Sequence, residues 1–131
     1  MIKLETRNLS YSYRAGQAVL NDISLEIYEG SVTVLLGLNG SGKTTLIKVL
    51  TGLLKPLKGT TFIEAKDITQ ISSTELSKLI SYVPQNISDD TDFAVLDYLT
   101  FGRMNTIKFY SSPKSEDYEK AKAVAEELGI T

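Results

Sequence analysis

The chain has 131 residues, enough for one domain with a real core, and a net charge of −2 with acidic and basic residues interspersed. It contains no cysteine and no histidine, which excludes a disulfide framework, a thiolate nucleophile, a zinc cluster and any imidazole base or ligand within these residues. The charge pattern gives no nucleic-acid footprint and no polybasic membrane patch. No apolar run approaches the ~18 residues that span a bilayer, and the start lacks the apolar centre of a signal peptide. The expectation is a soluble, intracellular chain.

In chain order, residues 2–13 read as a strand, because Leu9, Tyr11 and Tyr13 alternate with Ser10 and Ser12. Residues 14–17 are a turn. Residues 18–20 are a short strand that Asn21-Asp22 is expected to break, and residues 24–28 alternate again before Glu29-Gly30 turns the chain. Residues 31–36 are short, apolar and β-branched, the pattern of a buried parallel strand.

Next comes Gly37-Leu38-Asn39-Gly40-Ser41-Gly42-Lys43-Thr44, which fits G-x-x-x-x-G-K-[ST], the phosphate-binding P-loop, between an expected strand and an expected helix. Glycines let the backbone turn tightly and approach a ligand with no Cβ in the way. The amides of Asn39, Gly40, Ser41, Gly42, Lys43 and Thr44 would point into one concavity at a helix N-terminus, whose partial positive charge suits phosphate. Lys43 would reach the β- and γ-phosphates, and the Thr44 hydroxyl would ligate Mg²⁺. Thr45 reads as an α-phosphate donor or as a plain first-turn residue. The glycines run G-x-x-G-x-G, which argues against a dinucleotide fingerprint.

The P-loop helix is expected to end near Gly52, before a connector closed by Pro56 and Gly59. Residues 60–64 read as a strand. Ser72 with Glu75 has the form of a capping box ahead of a helix whose face is Leu76, Leu79 and Ile80. Residues 81–83 read as a second buried strand, ended by Pro84. Residues 85–92 are a polar, acidic loop, in which Asp89, Asp90 and Asp92 are better read as solvated than as a metal site. A helix is expected over 93–99, then a loop over 102–113, with Arg103 and Lys108 on solvated surface. A last helix should start at Ser115, with Tyr118, Ala121, Val124, Ala125 and Leu128 on one face and Gly129 as its stop.

These segments together resemble the N-terminal half of an ATP-binding-cassette (ABC) ATPase subunit. Asn21-Asp22-Ile23-Ser24-Leu25-Glu26-Ile27 ahead of Gly30 resembles the family's lead-in to the P-loop. Thr51-Gly52-Leu53-Leu54-Lys55-Pro56 resembles the segment after the P-loop helix, and Ile80-Ser81-Tyr82-Val83-Pro84-Gln85 resembles the start of the Q-loop. Val95-Leu96-Asp97-Tyr98-Leu99-Thr100-Phe101-Gly102-Arg103 is similar to importers of iron-siderophore, haem and cobalamin type. The resemblance covers essentially all 131 residues. The family's serine-glycine-glycine signature, its apolar strand ending in Asp-Glu and its switch histidine are not found, so the chain reads as an N-terminal part, expected to be inactive alone.

The resemblance implies an α/β P-loop NTPase fold of the ABC-ATPase kind, incomplete: an antiparallel β subdomain, part of a parallel core sheet with helices, and a helical subdomain from about residue 93. It implies ATP and Mg²⁺ as ligands, Lys43 and Gln85 in catalysis, and Thr44 and Gln85 at the metal. Asn39, Gly40, Ser41, Gly42, Lys43, Thr44 and Thr45 would hold the phosphates. Tyr13 resembles the aromatic that stacks on adenine, although Leu9, Tyr11 and Tyr13 also read as one buried strand face. Gln85 offers a neutral amide, donor and acceptor, beside a metal or an attacking water; its plainer reading is a polar loop residue. The implied partners are a transmembrane permease reached through the Q-loop region and a second ATPase subunit in a head-to-tail homodimer. The implied location is the inner face of the cell membrane. The rivals are a phosphate-binding half-domain without turnover and a different P-loop enzyme. A GTPase would want an Asn-Lys-x-Asp motif, which Ala65-Lys66-Asp67 is not, and a small kinase has no reason to carry Val-Pro-Gln.

Overall fold

A computed structural model describes residues 1–85, 92–104 and 111–130. It divides into two compact units, Met1–Tyr82 and Val83–Thr131.

The first unit is built on a long hairpin. β1 (Ile2–Arg14) and β2 (Gln17–Tyr28) pair antiparallel across a turn at Ala15 and Gly16, where Gly16 takes φ 84°. Asn21-Asp22 does not break β2 as expected. Asp22 instead adopts φ 55° inside the strand, and Asn8 adopts φ 49° in β1. These left-handed residues sit where the ladder shifts register, as bulges do. Their polar side chains tie the irregular stretch together. Asn8 Nδ2 donates to Asp22 Oδ1 (2.7 Å), Asn8 N–H to Ser24 Oγ (3.0 Å) and Asp22 N–H to Ser10 Oγ (3.0 Å). Asn and Asp tolerate this conformation because a short polar side chain bonds locally.

α1 (Lys43–Leu50) buries Thr45, Leu46, Val49 and Leu50, one face of a helical repeat. Leu46, Val49 and Leu50 pack with Leu9 and Leu20 of the hairpin into the main core, flanked by Leu4, Tyr11, Ile23, Leu25 and Leu54. Thr51 ends the helix and Gly52 turns left-handed after it at φ 75°, as expected of that glycine.

β3 (Lys58–Ile63) pairs antiparallel with the other edge of β1, and the two-residue β4 (Lys66–Asp67) completes a four-stranded sheet of order β2-β1-β3-β4. The turn between β3 and β4 uses Glu64 and Ala65, both at positive φ (49° and 64°). That is the twist a two-residue hairpin requires, here without glycine. A short 3₁₀ turn (Ile68–Gln70) leads to α2 (Ser73–Leu79), whose capping box of Ser72 and Glu75 forms as expected. Ile63, Ile68 and Ile71 make a second core cluster with Leu76 and Ile80 against it. Leu79, expected on that face, is instead 43% exposed.

Two expected strands differ from the reading. Residues 31–38 and 80–84 carry no ladder, and every strand pairing among the described residues is antiparallel. The parallel part of the expected sheet is therefore represented only by unpaired chain. Val32, Val34 and Leu36 are 93%, 70% and 86% exposed. β-branched apolar residues favour a strand only where a neighbouring backbone completes the ladder and a face is covered, and neither condition is met.

The second unit holds α3 (Val95–Phe101) and α4 (Ser115–Glu127). α4 begins at Ser115 as expected and Gly129, at φ 68°, stands just past its end. Ala121 and Ala125 are buried, whereas Val124 and Leu128 are 43% and 62% exposed. The expected apolar face is thus only half used. Asp117 is buried in the first turn, accepting from the Lys114 N–H (3.0 Å) and from Arg103 Nε (3.2 Å). Arg103 is therefore an ion-pair partner and not simple solvated surface. Tyr118 donates to Asp97 Oδ1 at 3.2 Å, a second tie between the helices.

Candidate nucleotide-binding site

Two left-handed glycines build the turn into α1. Gly40 has φ 79° and Gly42 φ 91°, a region that side chains with a Cβ enter only under strain. A Cβ on Gly42 would also stand 3.1 Å from the Val19 carbonyl oxygen and 3.3 Å from the Val19 and Leu20 side chains. The loop is thereby seated against β2. Ser41 N–H donates to the Leu38 carbonyl (3.2 Å), and Leu46 N–H to the Gly42 carbonyl (2.8 Å), the first bond of the helix. The amides of Lys43, Thr44 and Thr45 lie in the first turn, where a helix supplies no internal acceptor and carries partial positive charge.

Lys43 arches back over this loop. Its ammonium donates to the Gly37 and Leu38 carbonyls, each at 2.7 Å. Thr44 is exposed and Thr45 is buried. Tyr13 reaches the same helix end from β1, with its hydroxyl 3.2 Å from Thr45 Oγ1. Tyr13 is 60% exposed as a residue, and its ring packs edge-on to Tyr11, centroids 5.0 Å apart at 87°. Tyr11 lies against the main core. The face of Leu9, Tyr11 and Tyr13 is thus not uniformly buried: Tyr11 is braced on the core and Tyr13 is open to solvent.

The first unit accordingly brings together Tyr13, the loop of Asn39, Gly40, Ser41 and Gly42, and Lys43, Thr44 and Thr45. Gln85 is exposed and belongs to the second unit. Asp92 is exposed, while Asp89, Asp90 and Lys108 lie outside the described residues. No group of three acidic, histidine or cysteine side chains that could hold a metal exists among the described residues. A divalent cation here would meet neutral oxygens such as the Thr44 hydroxyl and the phosphate oxygens of its own ligand. That donor set fits Mg²⁺, which keeps several waters and binds through substrate phosphates rather than an all-protein cage. No helix among the described residues is long and apolar enough to cross a membrane.

Sequence spacing carries no sign of the Tyr13–Thr45 contact, which joins positions 32 apart, nor of the two carbonyls that hold Lys43. Both depend on the hairpin and α1 packing together.

The family model described as ABC transporter matches residues 20–131. The chain belongs to the ABC transporter family. It is 38% identical over 128 residues to the "Probable iron chelatin transport ATP-binding protein" of Helicobacter pylori, covering 97% of this chain and 50% of that protein. It is 37% identical over 132 residues to a manganese transport system ATP-binding protein of Bacillus subtilis, covering 99% of this chain and 50% of that protein. Among solved structures, a nucleotide-free ATP-binding cassette from an ABC transporter superposes with a TM-score of 0.83 at 32% identity, covering 99% of this chain and 55% of that one. The ABC-ATPase α/β fold expected from sequence, in partial form, is the fold observed. The chain spans about half the length of the curated relatives it matches.

Proposed function

We propose that this chain is the nucleotide-binding part of an ABC transporter ATP-binding subunit, in which MgATP binding and hydrolysis drive transport through a membrane permease. The observation that carries the reading is the turn of Gly40 and Gly42 into α1, with Lys43, Thr44 and Thr45 in the first helical turn. An anion meets unpaired amides, the positive helix end and one ammonium there. When phosphate arrives, Lys43 exchanges the Gly37 and Leu38 carbonyls for phosphate oxygens, charge-assisted on both sides and therefore stronger. Thr44 would ligate Mg²⁺, which would supply charge neutralisation on the bound phosphates; the resemblance assigns Gln85 to the metal as well. Thr45 bonds the α-phosphate, and Tyr13 offers its open ring face to adenine. In the chemical step Lys43 would hold charge on the transferred group, and the resemblance assigns Gln85 to orienting water.

The complete protein pairs with a second ATPase subunit, docks on its permease through the region around Gln85, and sits on the cytoplasmic face of the membrane. Import of an iron chelate is the cargo reading, supported by residues 95–103 and by the similarity to the Helicobacter pylori protein. The test is Lys43→Ala. Nucleotide binding by the chain, and ATP turnover by the complete protein, should both be lost, and unchanged turnover would end the reading. Uptake of labelled iron chelate, manganese and molybdate in cells lacking the gene decides the cargo.

A further inference from the structure

We infer that the Tyr13 hydroxyl is a positioning group for the phosphate subsite, acting through Thr45, separately from any stacking by the Tyr13 ring. The inference rests on the nucleotide-binding reading above. Three observations carry it. The phenol lies 3.2 Å from Thr45 Oγ1. Thr45 is 6% exposed, so its hydroxyl has few competing partners from solvent. The Tyr13 ring is braced edge-on by Tyr11, which is itself set on the core, so the phenol is aimed and not free to wander.

A hydroxyl carries one hydrogen and two lone pairs. A phenol is the more acidic partner and an aliphatic hydroxyl the better acceptor, so Tyr13 donates and Thr45 accepts. That leaves the Thr45 hydrogen for an anionic acceptor beyond it. The result is a chain from phenol to threonine to phosphate oxygen, in which each bond polarises the next. Without the phenol, the Thr45 hydrogen turns to other acceptors, such as the carbonyl of Ser41 or Gly42 just before the helix, and must be redirected when phosphate binds.

The test measures binding of adenosine, which presents only a base, and of inorganic pyrophosphate with Mg²⁺, which presents only phosphates, to the full chain. Tyr13→Phe keeps the ring and removes the hydroxyl. It is expected to weaken pyrophosphate about three- to tenfold, the span of one net hydrogen bond, and to weaken adenosine by less. In a Thr45→Val background the same change should have no effect on pyrophosphate, while Thr45→Ser, which keeps a hydroxyl, should restore the sensitivity. Thermal melts on each variant confirm that it folds. An undiminished Tyr13→Phe effect in the Thr45→Val background would overturn the coupling, as would equal pyrophosphate affinity of Tyr13→Phe and the parent. A parent chain that binds neither ligand would overturn the nucleotide-binding reading itself. These failures are distinguishable.

Discussion

Arg103 Nε lies 3.2 Å from Asp117 Oδ1, so the segment after α3 is tied to the first turn of α4. The Asp117 carboxyl is held below its ordinary range, first by the Lys114 N–H and then by Arg103. A depressed folded value means that the group's stabilisation is present above the unfolded value and lost as pH falls through the folded one. The helical signal of the second unit is therefore expected to melt earlier as pH drops below about 4. Asp117→Asn should lower the melting temperature at neutral pH and flatten this acid dependence. Circular dichroism melts across pH 3 to 7 check it, and an unchanged acid slope in the variant would assign the dependence elsewhere.

Gly59 crosses β1 at close range. Its φ is 71°, and an added Cβ would stand 2.3 Å from the Arg7 carbonyl oxygen and 2.5 Å from that of Asn8. Both atoms are backbone of β1 at the register shift of its pairing with β3, so no flexible side chain can give way. Gly59→Ala is expected to cost about 3 kcal/mol or more, combining positive-φ strain with overpacking. Denaturant unfolding measures it, and a loss under about 1 kcal/mol would mean that the ladder yields more easily than its packing suggests.

Thr61 is fully buried, and its hydroxyl has no hydrogen-bond partner among the described residues. Removing an orphaned polar group at constant shape is neutral or favourable. Thr61→Val should hold or raise stability, by up to about 1 kcal/mol. A clear loss would show that the hydroxyl finds an acceptor in solution.

Tyr11 and Tyr13 are expected to separate stability from binding. Tyr11→Ala opens the flank of the main core and should cost about 2 kcal/mol or more, with little change in nucleotide affinity once the fold is saved. Tyr13→Ala should barely move the melt and should weaken an adenine nucleotide by the ~1–3 kcal/mol of a base stack. Titration with a fluorescent ATP analogue, paired with melts, distinguishes them. The reverse pattern would swap the two roles.

The segment that carries Val32, Val34 and Leu36 has no ladder and leaves these side chains open. Unpaired apolar backbone is a template for association. The 131-residue chain should scatter light as oligomers at micromolar concentration, and Val34→Lys should shift it toward monomer. A parent chain that stays monomeric would count against this.

How far each feature is legible in the sequence depends on how local it is. The capping box of Ser72 and Glu75, the start of α4 at Ser115 and the left-handed glycines at 52 and 129 rest on contacts a few residues apart, so spacing alone discloses them. Asn21-Asp22 misleads because breaker residues do not distinguish a strand end from a bulge. Residues 31–36 mislead because β-branched patterning states a preference for a ladder but cannot supply the neighbouring strand. In the site, the P-loop is legible as a run of residues. Its attachment to Tyr13 and its grip on Lys43 are not, because each depends on how the hairpin and helix meet. Arg103 looks like surface because Asp117, with which it pairs, lies 14 positions on, in α4.

The irregular ladder between Asn8 and Asp22 also fixes a length. Each left-handed residue is matched to a specific neighbour across the hairpin, so the strands cannot slide past one another without placing an unsuited side chain in that conformation. The hairpin acts as a ruler. Its zero mark is the bulge at Asn8, and five residues on it delivers Tyr13 to the mouth of α1. Losing a single residue between those marks would leave the glycine loop chemically whole and aim the wrong side chain at Thr45. In this chain the meeting of Tyr13 with Thr45 is measured along β1 and not along the loop itself.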